Sequence, residues 1–416
     1  MAPNGMVRGM TKRVAVTGMG LVTCYGIGAA VTWGKILAGE PGIRPITLFD
    51  TTDYRTKRAG EFTTLPVAPW KRFRATRMDR ASNLLYHALA GALEESGLVA
   101  TATSRVPPIV ALGTTLGGMT SGERYHATYV RQGPSRARPS LVVGHLAQAQ
   151  VLQLMQEFAI PGAPRIFLNA CTSSANAIGH AFRAIRGGRA EVALCGGYDA
   201  LCAFGFTGFH SLQALTSGVC RPFDRNRDGL SIGEGAGILV LEPWEHARAR
   251  GVPIVGEIVG YGETTDAFHM TRPDPEGRPA GRAIHAAIRA AGIDAKDVDY
   301  VNAHGTGTPF NDRSETAALV AALGEAAYTI PVSSTKGMIG HLLGGAGAAE
   351  AILTVLALKE AWLPPNANYQ TPDPDCGLRI VRQAERPTRM RYALSNSFGF
   401  GGANATLVFR RVEANS

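Results

Sequence analysis

Arg165-Ile166-Phe167-Leu168-Asn169-Ala170-Cys171-Thr172-Ser173-Ser174 decides how this chain is read. Residues 165–168 form a short apolar run of the kind that makes a strand buried on both faces. Beyond the turn, Ala175, Ile178, Phe182 and Ile185 recur at helical spacing until Gly187-Gly188 stops them. The stretch therefore predicts strand, tight turn, helix, with Cys171 at the turn. A thiol at a helix N-terminus meets the positive end of the helix dipole and free backbone N–H groups, which lower its pKa and favour the thiolate. A strained turn would also expose the sulfur. The competing reading is a buried structural cysteine, the common fate of a free thiol. Cys24, Cys195, Cys202, Cys220 and Cys376 lack such a setting and read as structural.

Outward from this unit, strand-like and helix-like segments alternate. Residues 13–17, 108–112, 191–194, 237–241, 298–301 and 331–334 read as strands, and Ile284, Ala287, Ile288 and Ala291 mark a helix stopped by Gly292. The alternation argues for α/β layers with largely parallel sheets. Residues 251–260 resemble the start at 12–20, which suggests a duplication with a midpoint near residue 255. Gly18-Met19-Gly20-Leu21-Val22-Thr23 carries Thr where a dinucleotide fingerprint needs Gly or Ala, and no Gly-Lys-Ser/Thr phosphate loop occurs.

The chain has 416 residues, 45% hydrophobic and 18% charged, as in a globular protein with room for one large domain or two. Its six cysteines include no Cys-x-x-Cys pair, so reduced thiols in a cytoplasm, without a structural zinc, are expected. Residues 1–13 have no apolar stretch behind their basic residues, unlike a secretory leader. Residues 346–358 are apolar but too short to span a membrane, and Glu350 interrupts them. The net charge of +9 serves solubility or an acidic partner. No basic helix, zinc finger or interleaved aromatic patch supports nucleic acid, whereas a small acidic carrier protein fits.

Three further stretches carry chemistry. His304-Gly305-Thr306-Gly307-Thr308-Pro309-Phe310-Asn311-Asp312 opens with an imidazole at a strand end, where ligand sites form, and offers the hydroxyls of Thr306 and Thr308 on one side. Ser333-Ser334-Thr335-Lys336-Gly337-Met338-Ile339-Gly340-His341 follows another strand. Lys336 can hold a charge partner such as Glu315 or Asp312, either in a structural ion pair or for catalysis. Asn396-Ser397-Phe398-Gly399-Phe400-Gly401-Gly402-Ala403-Asn404 reads either as a tight turn or as a mobile lid whose N–H groups face an oxyanion. One nucleophile and two imidazoles suit a reaction that holds a thioester, then handles a carboxylate and a developing enolate.

These blocks, with Val16-Thr17-Gly18-Met19-Gly20, Arg221-Pro222-Phe223-Asp224-Arg225-Asn226-Arg227-Asp228-Gly229 and Gly233-Glu234-Gly235-Ala236-Gly237, make the chain resemble the β-ketoacyl–acyl-carrier-protein synthases of the synthase II type. That family lies in the thiolase-like superfamily, and the resemblance runs from about Lys12 to Arg410. It implies an α/β fold of five αβαβα layers in two pseudo-symmetric halves, 1–255 with the nucleophile and 256–416 with both histidines, usually paired as a homodimer. It implies that Cys171 takes an acyl chain from a carrier thioester, and that His304 and His341 promote decarboxylation of a malonyl unit and hold the enolate oxygen. The N–H groups of Cys171 and Phe400 match the oxyanion hole, Phe400 the gate with Phe398 beside it, and Thr306 and Thr308 the phosphopantetheine contacts. Lys336 matches a motif position that organises the site, with Glu315 the expected partner and Asp312 in support. Lys71, Arg72, Arg74 and Arg77 match the carrier-docking region, or are simply a solvated helix face.

No bound cofactor and no metal are expected, since the substrates ride on the phosphopantetheine of the acyl carrier protein. Residues 133–141 lack the Pro-Phe-Phe run common in housekeeping fatty-acid synthases, and Phe209-His210 replaces a small residue followed by Phe. Both departures open a polyene or polyketide pathway beside fatty-acid synthesis. The alternatives to the condensing reaction are a thiolase-like acyltransferase without decarboxylation and a non-catalytic chain-length partner in a heterodimer.

Overall fold

The computed structural model describes residues 11–98 and 108–413. The N-terminal stretch read as lacking a leader thus lies, up to residue 10, outside the described residues.

Ten of the described strands build two lobes. The N-terminal lobe holds β1 (Val14–Thr23), β2 (Ile109–Gly113), β3 (Pro164–Phe167), β4 (Ala193–Asp199) and β5 (Gly235–Pro243). The C-terminal lobe holds β6 (Gly256–Thr265), β7 (Tyr300–Asn302), β8 (Pro331–Ser333), β9 (Tyr392–Phe398) and β10 (Ala403–Arg410). The spatial order is β3-β2-β4-β5-β1 in the first lobe and β8-β7-β9-β10-β6 in the second, the same 3-2-4-5-1 arrangement. The ladder is continuous between lobes, because Val14, Ala15 and Val16 of β1 pair with Ile258, Glu257 and Gly256 of β6. A two-residue strand, Arg379–Ile380, extends the β8 edge.

The expectation of largely parallel sheets holds only toward the edges. β2 pairs in parallel with β3 and β4, and β7 with β8 and β9. The centre is antiparallel: β1 with β5 and β6, β4 with β5, β9 with β10, and β10 with β6. The reason lies in the connections. Parallel neighbours need a helical crossover, but β9 returns into β10 through residues 399–402 alone, which permits only an antiparallel hairpin.

Helices α1 (Arg80–Ser96), α2 (Ser173–Arg186), α3 (Arg278–Ala291), α4 (Pro309–Leu323) and α5 (Ala346–Glu360) supply the layers. α2 and α5 pack on strands of both lobes and on each other, so they form the middle layer. α1 covers the outer face at β1 and β5, and α3 covers that at β6 and β10, with α4 packed on α3. The helical spacing seen in the sequence is the buried stripe of α2: Ala175, Ile178, Phe182 and Ile185 are each at most 3% exposed. Burial of an aliphatic or aromatic side chain of this size contributes about 1.5–3 kcal/mol. The helix ends at Gly187, with Arg183 and Arg186 in a last turn where cations suit the dipole. α5 has no solvent-facing side over residues 346–358, all of which are buried, as its central position demands. Gly20, in the glycine turn already read as no dinucleotide fingerprint, lies inside β1, where a Cβ would meet the Ala88 carbonyl of α1 at 1.7 Å. Its role is close helix–sheet packing. No helix among the described residues is long and apolar enough to cross a membrane.

Candidate active site

Cys171 sits where the sequence placed it, between β3 and α2. Ala170 adopts φ of 52°, in the left-handed region, so the chain turns sharply just before the thiol. The turn is held locally: Ser173 Oγ donates to the Ala170 carbonyl (2.6 Å), Thr172 Oγ1 to the Asn169 carbonyl (2.8 Å), and Asn169 N–H to Ser173 Oγ (2.9 Å). A one-turn helix, Ala170–Thr172, then leads into α2.

From the other lobe, His304 follows β7 and His341 follows β8. The sulfur of Cys171 and one nitrogen from each imidazole lie within 4.8 Å of one another. The two rings stand nearly perpendicular, at 81°, with centroids 5.3 Å apart. All three residues line a cavity of about 370 Å³, together with Thr306, Thr308, Phe398 and Phe400. Phe398 ends β9, is buried, and stacks obliquely 5.9 Å from His304. Phe400 stacks on Phe209 at 5.8 Å, so the Phe209-His210 departure places an aromatic directly against the expected gate. The turn carrying Phe400 is pinned by Gly399 N–H to the Ala403 carbonyl and by Gly401 N–H to the Met270 carbonyl, each 2.7 Å.

The imidazoles are neutral. Burial pushes both well below the usual histidine range, and the Lys336 charge adds to it. Leu343 N–H donates to His341 Nδ1 (3.2 Å), which makes Nδ1 the acceptor and puts the proton on Nε2. His341 Nε2 and His304 Nδ1 are buried and have no partner within the protein among the described residues. A buried donor without an acceptor is costly unless a ligand supplies one.

The thiol corrects the sequence reading. Burial pushes Cys171 up to about 11, although Lys336 and the backbone N–H groups of Phe400 and Cys171 pull the other way. The helix N-terminus is there, but desolvation outweighs it, and at neutral pH the group is a thiol rather than a thiolate.

Lys336 also departs from expectation. Its Nζ forms a fully buried ion pair with Glu350 of α5 and donates to the His304 carbonyl (2.5 Å). Glu315, the expected partner, instead accepts from the backbone N–H groups of His304 (2.8 Å) and Gly305 (2.7 Å) and from Asn396 Nδ2 (3.2 Å). Burial pushes both glutamates up to about 7. Asp312 accepts from Phe223 N–H (2.7 Å) and Gly307 N–H (3.2 Å) and lies 3.9 Å from buried Arg227. The reason for the difference is helical geometry: Glu315 and Asp312 lie on α4, whose first turns face the backbone of residues 303–308, while α5 runs beneath Lys336. Sequence reasoning passed over Glu350, although an acid interrupting an apolar helical run was its signal. Thr306 and Thr308 bond to each other (2.9 Å), and Thr308 Oγ1 also caps α4 at Asn311 N–H (3.4 Å).

Lys71, Arg72, Arg74 and Arg77 do not line the cavity. They are exposed on the stretch before α1, and no ion pair among the described residues involves their side chains.

The beta-ketoacyl synthase N-terminal domain family matches residues 11–247, and the C-terminal domain family matches residues 255–370. The chain belongs to the beta-ketoacyl synthase family. It is 41% identical over 410 residues to the 3-oxoacyl-[acyl-carrier-protein] synthase 2 of Synechocystis sp., covering 97% of this chain and 99% of that one. It is 40% identical, with the same coverage, to the Staphylococcus aureus protein of that name. Among solved structures, the ishigamide ketosynthase/chain length factor superposes with a TM-score of 0.90 at 34% identity, covering 97% of this chain and all of that one. A ketosynthase bound to a hexaketide and to its type II polyketide acyl-carrier protein superposes at 0.88 with 29% identity, over 97% of this chain and all of that one. The fold is that of the thiolase-like ketosynthases, and the chain is a condensing enzyme whose Cys171, His304 and His341 stand together.

Proposed function

We infer that the chain joins an acyl group held on Cys171 to a malonyl unit on an acyl carrier protein, with loss of CO₂, giving 3-oxoacyl-carrier in fatty-acid or polyketide synthesis. The observation that carries this is the convergence of the Cys171 sulfur and one nitrogen from each of two neutral imidazoles, within 4.8 Å of one another, beside a single cavity.

In the first half-reaction, Cys171 sulfur attacks the carrier thioester carbonyl. The N–H groups of Cys171 and Phe400 receive the oxyanion. Because the sulfur starts as a thiol, its proton passes through a neutral imidazole to the departing pantetheine sulfur. In the second half-reaction, the bond to the malonyl carboxylate breaks and CO₂ leaves. Its electron pair moves onto the thioester oxygen, which accepts from His341 Nε2–H and from His304. Donors already fixed in a water-poor pocket stabilise that charge without reorganising. The enolate carbon then attacks the acyl-cysteine carbonyl, the C–S bond breaks, and the Cys171 thiolate that leaves takes up one proton from solvent.

The remaining assignments follow the same reading. Thr306 and Thr308 hold the phosphopantetheine arm. Phe400 gates the cavity, with Phe398 beside it. Lys336 acts through Glu350 and the His304 carbonyl, while Glu315 and Asp312 shape the backbone of residues 303–308. Lys71, Arg72, Arg74 and Arg77 dock the acidic carrier. The two halves divide at residues 255 and 256. Free, buried cysteines support a reducing cytoplasm. A homodimer is supported by the open edge of β3 and by exposed Leu168 (61%), Val130 (66%) and Val143 (61%). The likeness to the ishigamide ketosynthase/chain length factor favours a second reading, pairing with a chain-length subunit.

Release of labelled CO₂ from malonyl-carrier, coupled to 3-oxoacyl-carrier formation, tests the reaction. Acyl exchange without CO₂ would identify a non-decarboxylating acyltransferase instead.

A further inference from the structure

Each catalytic imidazole follows a strand end whose backbone needs holding. For His304 the holder is Glu315, on its own backbone N–H. The His341 N–H instead donates to the Ser231 carbonyl (2.7 Å), and among the described residues no carboxylate of its own lobe accepts from it. What holds its turn comes from the opposite lobe.

Asp199 ends β4 and is 1% exposed. Its carboxylate accepts from Thr114 Oγ1 (2.6 Å), Thr115 N–H (2.9 Å), Leu116 N–H (2.9 Å) and Gly344 N–H (2.7 Å). The first three belong to the turn after β2. The fourth belongs to the turn Leu343–Gly345 after His341. The turns are packed backbone to backbone: a Cβ on Gly344 would lie 2.5 Å from Thr114 carbonyl carbon and 2.5 Å from Thr115 nitrogen. Leu343 has φ of 52°, a left-handed conformation that is strained for a leucine and requires an outside hold. Leu343 N–H is also the donor that fixes the His341 tautomer. Asp199 itself does not line the cavity.

We propose that Asp199 is a positioning residue for His341, clamping Gly344 to the 114–116 turn so that Leu343 N–H stays on Nδ1 and the Nε2 proton faces the substrate. Without the clamp, the Leu343 turn relaxes, Nδ1 is freed, and the imidazole no longer presents one defined donor. All four groups around the carboxylate donate, so an amide there would set its own N–H₂ against N–H groups. Burial pushes Asp199 up to about 6 even with these donors, a cost tolerated at a position whose hydrogen bonds span both lobes.

The inference rests on His341 as the enolate donor, and that reading is tested separately by His341→Ala. For Asp199→Asn, malonyl-carrier decarboxylation should fall about tenfold or more, while acylation of Cys171 stays within about threefold. Nitrogen-15 histidine spectra should show wild-type His341 protonated at Nε2 and the variant losing that single tautomer. Equal loss of both partial reactions, or full decarboxylation with an unchanged His341 signal, overturns the proposal. If Asp199→Asn does not fold, Thr114→Val removes one donor from the same carboxylate. It should show the same split at smaller size, and its absence there equally overturns the proposal. Loss of decarboxylation in Asp199→Asn with full activity in His341→Ala would instead break the underlying reading of His341.

Discussion

The two lobes share one strand order and divide the chemistry between them. After the third strand of the N-terminal lobe, residues 168–172 lead directly into α2 and carry Cys171, the proposed nucleophile. After the third strand of the C-terminal lobe, residues 334–345 intervene before α5 and carry Lys336 and His341. The short connection gives a sulfur fixed by a left-handed Ala170 at the start of a buried helix. The long one gives a turn that buried acids must hold: Glu350 on Lys336, and Asp199 from the other lobe. A nucleophile needs one forced turn, whereas donors to an enolate need an orientation, and orientation is what the longer connection and its carboxylates provide.

Removing the short-connection residue should cost most. Cys171→Ala should lower condensation by about 10⁴-fold or more while malonyl-carrier decarboxylation persists, read as CO₂ release without 3-oxoacyl product. On the long connection, His341→Ala should cut decarboxylation by roughly 10²–10³, the typical value of one lost oxyanion donor, and affect acylation far less. Comparable loss of both steps would erase the division between the lobes.

The Lys336–Glu350 pair sharpens the comparison through stability. Glu350→Ala strands a buried ammonium and should lower unfolding free energy by about 3–5 kcal/mol in denaturant titration. Breaking the exposed Lys35–Glu40 pair, by contrast, should cost no more than about 1 kcal/mol. A small effect at Glu350 would show that the pair is not desolvated.

The thiol gives a pH test with a definite sign. With Cys171 pushed up to about 11, the reactive anion is a minor species at neutral pH. Alkylation of Cys171 by iodoacetamide should therefore rise about tenfold per unit from pH 7 to pH 9. A plateau beginning below pH 8 would restore the thiolate expected from the sequence. The smallest effect is at the surface: Arg72→Glu with Arg74→Glu should raise KM for carrier-bound substrate severalfold at low salt and leave kcat unchanged. An unchanged KM would remove carrier docking from that stretch.

Much of the site was legible in the sequence because it consists of unusual residues in glycine-rich turns at strand ends. Cys171, His304 and His341 converge, and the buried stripe of α2 is the one its spacing announced. Properties set by burial and pairing were not legible. Burial of the sulfur, not the helix N-terminus, decides the state of the Cys171 thiol. The choice of Glu350 over Glu315 depends on which helix passes under Lys336. Asp199 looks like the end of an apolar strand until the second lobe folds against it. The antiparallel centre was hidden because buried strands read alike in either direction, and only the short 399–402 connection carried the sign.

Intact-protein mass spectrometry after incubation with acyl-carrier thioester tests the central assignment most directly. One added acyl mass is expected, mapped to Cys171, lost on adding malonyl-carrier and absent from Cys171→Ala. An adduct that persists in Cys171→Ala, or that maps to another residue, would contradict it.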